Sequence, residues 1–291
     1  MKNLFINTTL IYILFINSLS ISAESVKSKI NQLSDKAAVA ISDYAENFDS
    51  IKYLDLDIQV QNKLKPTFSI MSVTELLKIQ SGTIFNQTSL NTHDSDETIN
   101  IGLGVRKLLN DNKVLIGSNI FYDYQFGEGH SRTGAGVEAI SSIFDIRGNY
   151  YNGINETQTM EDGSSERALD GWDTQLDYHL PGEYDVNIFA NAFEFKNPDK
   201  VTTYREKGNK YGAIAKLGNF MIEGGYLDNN KSNDGYFGSI KYVIKLGEQS
   251  NKKRNFLEYA DVSDKLYIPV KRENKIRVVK ISKSGVQVSG F

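Results

Sequence analysis

The sequence predicts an all-β protein, a transmembrane β-barrel of the outer membrane with twelve antiparallel strands preceded by a short helix. Three observations predict it. Side chains alternate across a strand with period two, and from Glu97 to Gly153 that period separates an apolar face from a small, polar, charged one four times in succession. Sixteen Tyr and fifteen Phe are enough to populate aromatic girdles at two membrane interfaces. In the second half of the chain, long and short connections between strands fall alternately, as they do when they belong to opposite rims of a barrel.

The four central strands carry the main weight. In the first, Ile99, Ile101, Leu103 and Val105 oppose Asn100, Gly102, Gly104 and Arg106. In the second, Val114, Ile116, Ile120, Tyr122 and Tyr124 oppose Gly117, Asn119, Asp123 and Gln125, although Leu115 and Phe121 share the polar side. The third sets Ala135, Val137 and Ala139 against Arg132, Gly134, Gly136 and Glu138, and the fourth sets Phe144, Ile146 and Tyr150 against Asp145, Arg147 and Asn149. A soluble sandwich shows water its polar face and fills a core with the other. Here the polar face is too Gly-rich to be an outer surface and suits a crowded, hydrated interior, while the apolar face suits lipid.

Taken in order, residues 1–23 begin with Lys2, continue as an apolar run and end in small residues, which reads as a secretory leader cleaved after Ala23. Residues 24–51 form a separate leader region. Val26, Ile30, Leu33, Ala37, Ile41, Tyr44 and Phe48 recur there at helical steps, so a helix is expected, with the periplasmic mouth, the lumen and a loose position all open to it. The barrel is expected over 52–246. Leu54, Leu56, Ile58 and Val60 alternate with Asp55, Asp57, Gln59 and Gln61 in its first strand, followed by 67–76 and 83–92. After the central four come 171–180, 184–195, 210–217, 220–227 and 235–246. Long connections at 154–170, 196–209 and 228–234 face short ones at 141–142, 181–183 and 218–219, with 107–113 of middling length on the short-turn side. A closed barrel would put the long ones outside and the short ones in the periplasm.

Segments TIFNQTSLN (83–91), TINIGLGVR (98–106), LIGSNIFYDYQF (115–126), HSRTGAGVEA (130–139), IRGNYYNG (146–153) and ERALDGWDTQLDYHLP (166–181) resemble, in order and spacing, the β-domain of the inverse autotransporters, the intimin and invasin family. The resemblance implies a barrel that helps export a segment C-terminal to itself through its lumen and anchors it at the cell surface, with adhesion as the usual purpose. It also implies outer-membrane lipid, barrel-assembly machinery and periplasmic chaperones as partners, with peptidoglycan or a surface receptor as further candidates. The tail, 247–291, is shorter than the roughly 100 residues of one immunoglobulin-like domain, so no large passenger is expected within it. VKRENKI (270–276) is similar to the family's post-barrel linker.

Three places are open to this tail. It can thread the lumen, or act as a periplasmic or plugging segment in which RVVKI and VQVSGF pair as a hairpin around 283–285, or supply 285–291 as a final barrel strand ending in Phe291. Alternatives to the translocator are a small-solute channel plugged by the tail and a lipid hydrolase.

Other chemistry finds little support. Lys plus Arg number 33 against 36 Asp plus Glu, which gives no basic excess for nucleic acid, and no Cys is present for thiolate chemistry or a disulfide scaffold. His93 and His130 fall in expected loops, and His179 ends a strand beside Asp177; none has metal-ligand spacing, so no catalytic, cofactor or metal site is assigned. GLG at 102–104 lacks the rest of a dinucleotide motif and reads as a lumen-facing gap, and NDNK at 110–113 reads as a turn. Arg106, Arg132, Glu138, Asp145, Arg147, Asp173 and Glu223 are placed in the lumen, where such charges pair or line a channel, and Trp172 is placed in a girdle.

Overall fold

A computed structural model describes residues 50–61, 65–93, 96–154, 157–160, 163–182, 184–198, 203–231, 234–245, 260–281 and 287–290. The leader at 1–23 and, but for Ser50, the helix expected over 24–50 lie outside them. Among the described residues the one helical turn is Ser263–Lys265. The strands are β1 (Ile51–Gln61), β2 (Thr67–Ile79), β3 (Gly82–His93), β4 (Asp96–Leu109), β5 (Val114–Gln125), β6 (Ser131–Ser141), β7 (Phe144–Gly153), β8 (Gln158–Thr159), β9 (Ser165–Ala168), β10 (Asp170–His179), β11 (Asp185–Lys196), β12 (Arg205–Leu217), β13 (Phe220–Asn229), β14 (Gly235–Lys245), β15 (Val278–Ile281) and β16 (Gln287–Gly290).

Twelve of them, β1 to β7 and β10 to β14, close into one antiparallel barrel in which each pairs with its chain neighbour and β14 pairs back onto β1. All twelve expected strands are present. Closure of β14 on β1 from Tyr53↔Lys245 to Gln61↔Phe237 leaves no opening for another strand, which overturns the option of 285–291 as the last barrel strand.

The two-faced pattern becomes two surfaces. Ile101, Leu103, Ile120, Val137, Ile146 and Tyr150 stand exposed on the outer wall, whereas Asn100, Arg106, Asp123 and Arg132 on the opposite parity are fully buried. An outer wall of this kind suits hydrocarbon. Trp172 is exposed on it with Tyr211, Tyr226 and Tyr236.

Three local departures from the expected boundaries have physical causes. β2 runs past Leu76 because a bulge between Glu75 and Leu77 shifts the register against β3. One extra residue breaks the period, so the adjacent Leu76 and Leu77 are both exposed. β4 reaches further than expected, to Leu109, shrinking the connection to 110–113, where Asn110, Asp111 and Asn112 all take left-handed φ (51°, 53° and 64°). Asn and Asp tolerate that region better than other non-glycine residues. β12 starts at Arg205, because the ladder to β11 continues through Lys196↔Arg205 although Arg205 and Lys207 give the outer face no apolar signal there.

Connections 154–169 and 197–204 lie on one rim, opposite 142–143 and 218–219. The segregation therefore holds in the second half, while in the first half both rims carry short connections. The connection 154–169 is more than a loop, since it contains β8 and β9, which join β15 and β16 in a separate four-stranded sheet of order β16-β15-β9-β8.

The expected gap at 102–104 is not empty. A Cβ on Gly102 would overlap the Phe121 ring, and one on Gly104 would overlap the Phe85 ring, so these glycines make room for lumenal aromatics from neighbouring strands. Gly148 has nothing within 4 Å of its would-be Cβ. Overpacking a filled interior costs about 1–3 kcal/mol. Gly104→Val is expected to lower barrel stability by that amount and Gly148→Val to leave it unchanged, as read by the temperature at which the folded, fast-migrating form is lost on denaturing gels.

Candidate functional site

The lumen is built from the inward parity of the strands, and residues 260–281 run through it from the short-turn rim to the long-loop rim. Entry is fixed at the turn 110–113, where Asn112 O accepts from Val262 N at 2.8 Å. Exit is fixed at β9, where β15 pairs through Val278↔Ala168 to Ile281↔Ser165. Of the three places open to the tail, the lumenal one is occupied. The hairpin also forms, β15 with β16 from Val278↔Gly290 to Ile281↔Gln287, but at the rim opposite the expected periplasmic one.

Between these ends the tail has no neighbouring strand to satisfy its backbone, and an unpaired buried peptide group costs about 1–3 kcal/mol. Side chains of the wall take that role. Arg106 Nη1 donates to Leu266 O at 2.9 Å and also to Ile268 O. The Gln87 carboxamide accepts from Val270 N at 2.7 Å and donates to Val270 O at 3.4 Å. Asn149 donates to Lys271 O at 3.0 Å, Arg132 to Glu273 O at 2.7 Å, and Asn100 to Asn274 O at 2.9 Å. The Tyr151 hydroxyl accepts from Glu273 N at 2.7 Å and donates to Asp173.

Side chains of the tail are held mainly through basic residues, with Tyr267 donating to Glu75 as well. Arg272 makes a two-pronged contact to Asp123, at 2.8 and 2.6 Å, while its guanidinium lies 4.1 Å from the Phe121 ring centre. Asp123 also accepts from Arg132 and Asn100, both at 2.8 Å. Lys271 reaches Asp177 at 2.6 Å. Arg277 bridges Glu206 at 2.8 Å and Glu273 at 2.9 Å, with its guanidinium under 5 Å from the ring centres of Phe193 and Phe195. Near the entry, the buried Lys265 ammonium contacts Ser141 O at 2.6 Å, His179 Nε2 at 3.0 Å and Asp145 at 3.1 Å.

Apolar residues close the site in three collars around the tail. Leu108, Leu115 and Ile140 pack on Val262 at the entry; Tyr53, Val73, Phe85, Phe121 and Val243 pack on Val270 further in. At the exit Val279 packs on Tyr151, Leu169, Phe193, Phe195, Tyr204 and Leu227. This accounts for Leu115 and Phe121 on the otherwise polar face of β5, since both bear on the threaded chain.

Most expected lumenal charges pair across the interior. Arg106 meets Glu138 at 2.6 Å, and Arg147 meets Asp177 at 2.6 Å and Asp145 at 3.0 Å. Glu223 stands within electrostatic reach of Lys241 and Lys271. His179 lies on Asp145 and Lys265 rather than on Asp177. His130, expected in a loop and found in the 126–130 connection, is fully buried, with Nε2 at 3.2 Å from Glu166. That contact, ahead of nearby Lys280, holds the Glu166 carboxyl below its ordinary range. The side chain of His93 is outside the described residues. No group of three or more His, Asp or Glu able to hold a metal occurs among the described residues. Gln87, Tyr151 and Glu206 were not picked out from sequence; inward parity on strands β3, β7 and β12 is the signal that locates them.

A family model described as inverse autotransporter, beta-domain, matches residues 15–274. The chain belongs to that family. The match takes in the barrel and the threaded tail as far as Asn274. Solved structures share the barrel. A membrane protein studied for in-meso crystallization is 17% identical, with a TM-score of 0.68 over 79% of this chain and 99% of that one. An outer membrane channel from Pseudomonas putida F1 is 10% identical, with a TM-score of 0.52 over 67% of this chain and 94% of that one. At such identities the likeness is one of fold.

Proposed function

We propose that this protein sits in the outer membrane as a translocator and anchor: it passes a segment C-terminal to its barrel through the lumen and holds that segment at the cell surface. The passage of residues 260–281 from the short-turn rim to the long-loop rim carries this reading. The short-turn rim then faces the periplasm and the sheet β16-β15-β9-β8 faces outward. The exposed aliphatic wall takes outer-membrane lipid as its partner, with Trp172 and the exposed tyrosines as interfacial anchors. Insertion calls on barrel-assembly machinery and periplasmic chaperones. The contacts of His130 and His179 with carboxylates and an ammonium support a structural rather than a hydrolytic role for both.

An epitope tag after Phe291 tests the reading. Antibody is expected to detect it on intact cells without permeabilisation. Detection only after the outer membrane is opened would reject the translocator and leave a barrel plugged from within.

A further inference from the structure

The segment β9 is short, SERA, and has no apolar period of its own. One of its edges pairs with β8 through two residues, Gln158↔Glu166 and Thr159↔Ser165. Its other edge is occupied over its whole length by β15 of the tail. The ladder continues one step toward the lumen, where Leu169 N donates to Arg277 O at 2.9 Å. Without the tail that edge would present a row of unpaired N–H and C=O groups, which is a template for any extended chain.

Two further features make the edge selective. Beneath it lies the socket of Tyr151, Leu169, Phe193, Phe195, Tyr204 and Leu227, contributed by β7, the residue just before β10, β11, the 197–204 connection and β13, and Val279 fills it with no exposure left. Opposite Lys280 stands Glu166, its register partner, with the ammonium 3.4 Å from the carboxylate. The neighbouring Val278 is also buried, against Ala168 and Ile276. A β-branched residue in the socket and a cation one position later thus define the segment in register.

We infer that the β9 edge and the socket beneath it form a strand receptor, which takes an extended polypeptide segment as it leaves the lumen and holds it against return. The ligand class is a β-strand with a small β-branched residue followed by Lys or Arg; the occupant here is Val278–Ile281 of the chain's own tail. Among the described residues the chain inside the lumen is single, gripped from the wall by Arg106, Gln87 and Arg132. Outside, β16 adds to β15, so that the emerged chain is a hairpin, two strands or about 4.8 Å wider, seated on β9. A passage filled by one extended chain does not readmit two. This inference rests on the translocator reading for its direction, though not for the pairing itself.

The test uses the full chain with the tag after Phe291, in three versions beside the unmodified one: Val279→Asp, which puts a charge into the socket, Val279→Ile, which refills it, and Lys280→Glu, which sets like charges opposite each other on an accessible position and spares the barrel interior. In detergent micelles, amide hydrogen exchange at 165–168 is expected to quicken by about tenfold or more in Val279→Asp, less in Lys280→Glu and not in Val279→Ile, with the barrel strands unchanged. On intact cells the surface signal of the tag is expected to fall in the same order. Unchanged exchange at β9 in both charge variants would overturn the receptor. Faster exchange with a surface signal equal to that of the unmodified chain would overturn the hold against return. If the unmodified tag is itself hidden, the translocator reading fails, and exchange in micelles alone decides whether β9 is a strand receptor.

Discussion

Removal of residues 257–291 is expected to turn a silent barrel into a conducting one. The twelve-stranded ladder closes through β14 and β1 without any contribution from the tail, so the wall has no reason to open when the tail is absent. The loss falls inside. Arg272, Lys271 and Arg277 leave Asp123, Asp177 and Glu206 without those partners, and the three collars lose Val262, Val270 and Val279. Water and ions then occupy the passage, and the surplus carboxylates favour cations. In planar bilayers the full chain is expected to show rare, small steps and the truncated chain a steady conductance selective for cations. A truncated barrel that stays heat-modifiable on gels yet remains silent would mean that wall side chains alone seal the lumen.

The second large effect is expected at Asp123. Its carboxylate is fully buried and answers Arg272 from the tail and Arg132 and Asn100 from the wall. Taking away one member of a buried ion pair leaves an uncompensated charge and costs about 3–5 kcal/mol, so Asp123→Ala is expected to lose that much in urea unfolding from micelles. The tail should also become open to protease, because Arg272 loses both of its carboxylate contacts at once. Combining Asp123→Ala with Arg272→Met removes one of the two stranded cations. The double variant is therefore expected to be more stable than Asp123→Ala alone, and a double variant as unstable as the sum of its parts would deny the coupling.

The barrel was legible because its strands are two-sided. Wherever one parity carried Ile, Leu or Val and the other Gly, Asn or charge, as at 99–106 and 144–150, the strand and its inward face both followed. The pattern faded where the outer face itself turned polar, as at Arg205 and Lys207, and where a bulge put Leu76 and Leu77 side by side. What one strand cannot show is what faces it across the tube. Asp145, Asp177, Arg147 and Lys265 come from three distant stretches and meet only after closure, so their pairing had no local signature. The clearest hint of the threaded chain was present as an irregularity: Leu115 and Phe121 on a polar face need an apolar neighbour inside, and the tail is that neighbour. The hairpin of RVVKI with VQVSGF was visible as two short alternating runs, but its seat was not, because β9 has no period and lies over a hundred residues upstream.

The way the wall holds the lumenal segment has a consequence for protein engineering. Hydrogen bonds to Leu266, Ile268, Val270, Lys271, Glu273 and Asn274 fall on main-chain atoms, which every sequence possesses, while the side-chain demands fall on a set of punctuation marks: the polar Lys265, Tyr267, Lys271, Arg272 and Arg277 and the collar residues Val262, Val270 and Val279. A display scaffold made from this barrel would keep those marks and let the letters between them vary, provided each replacement can lie extended.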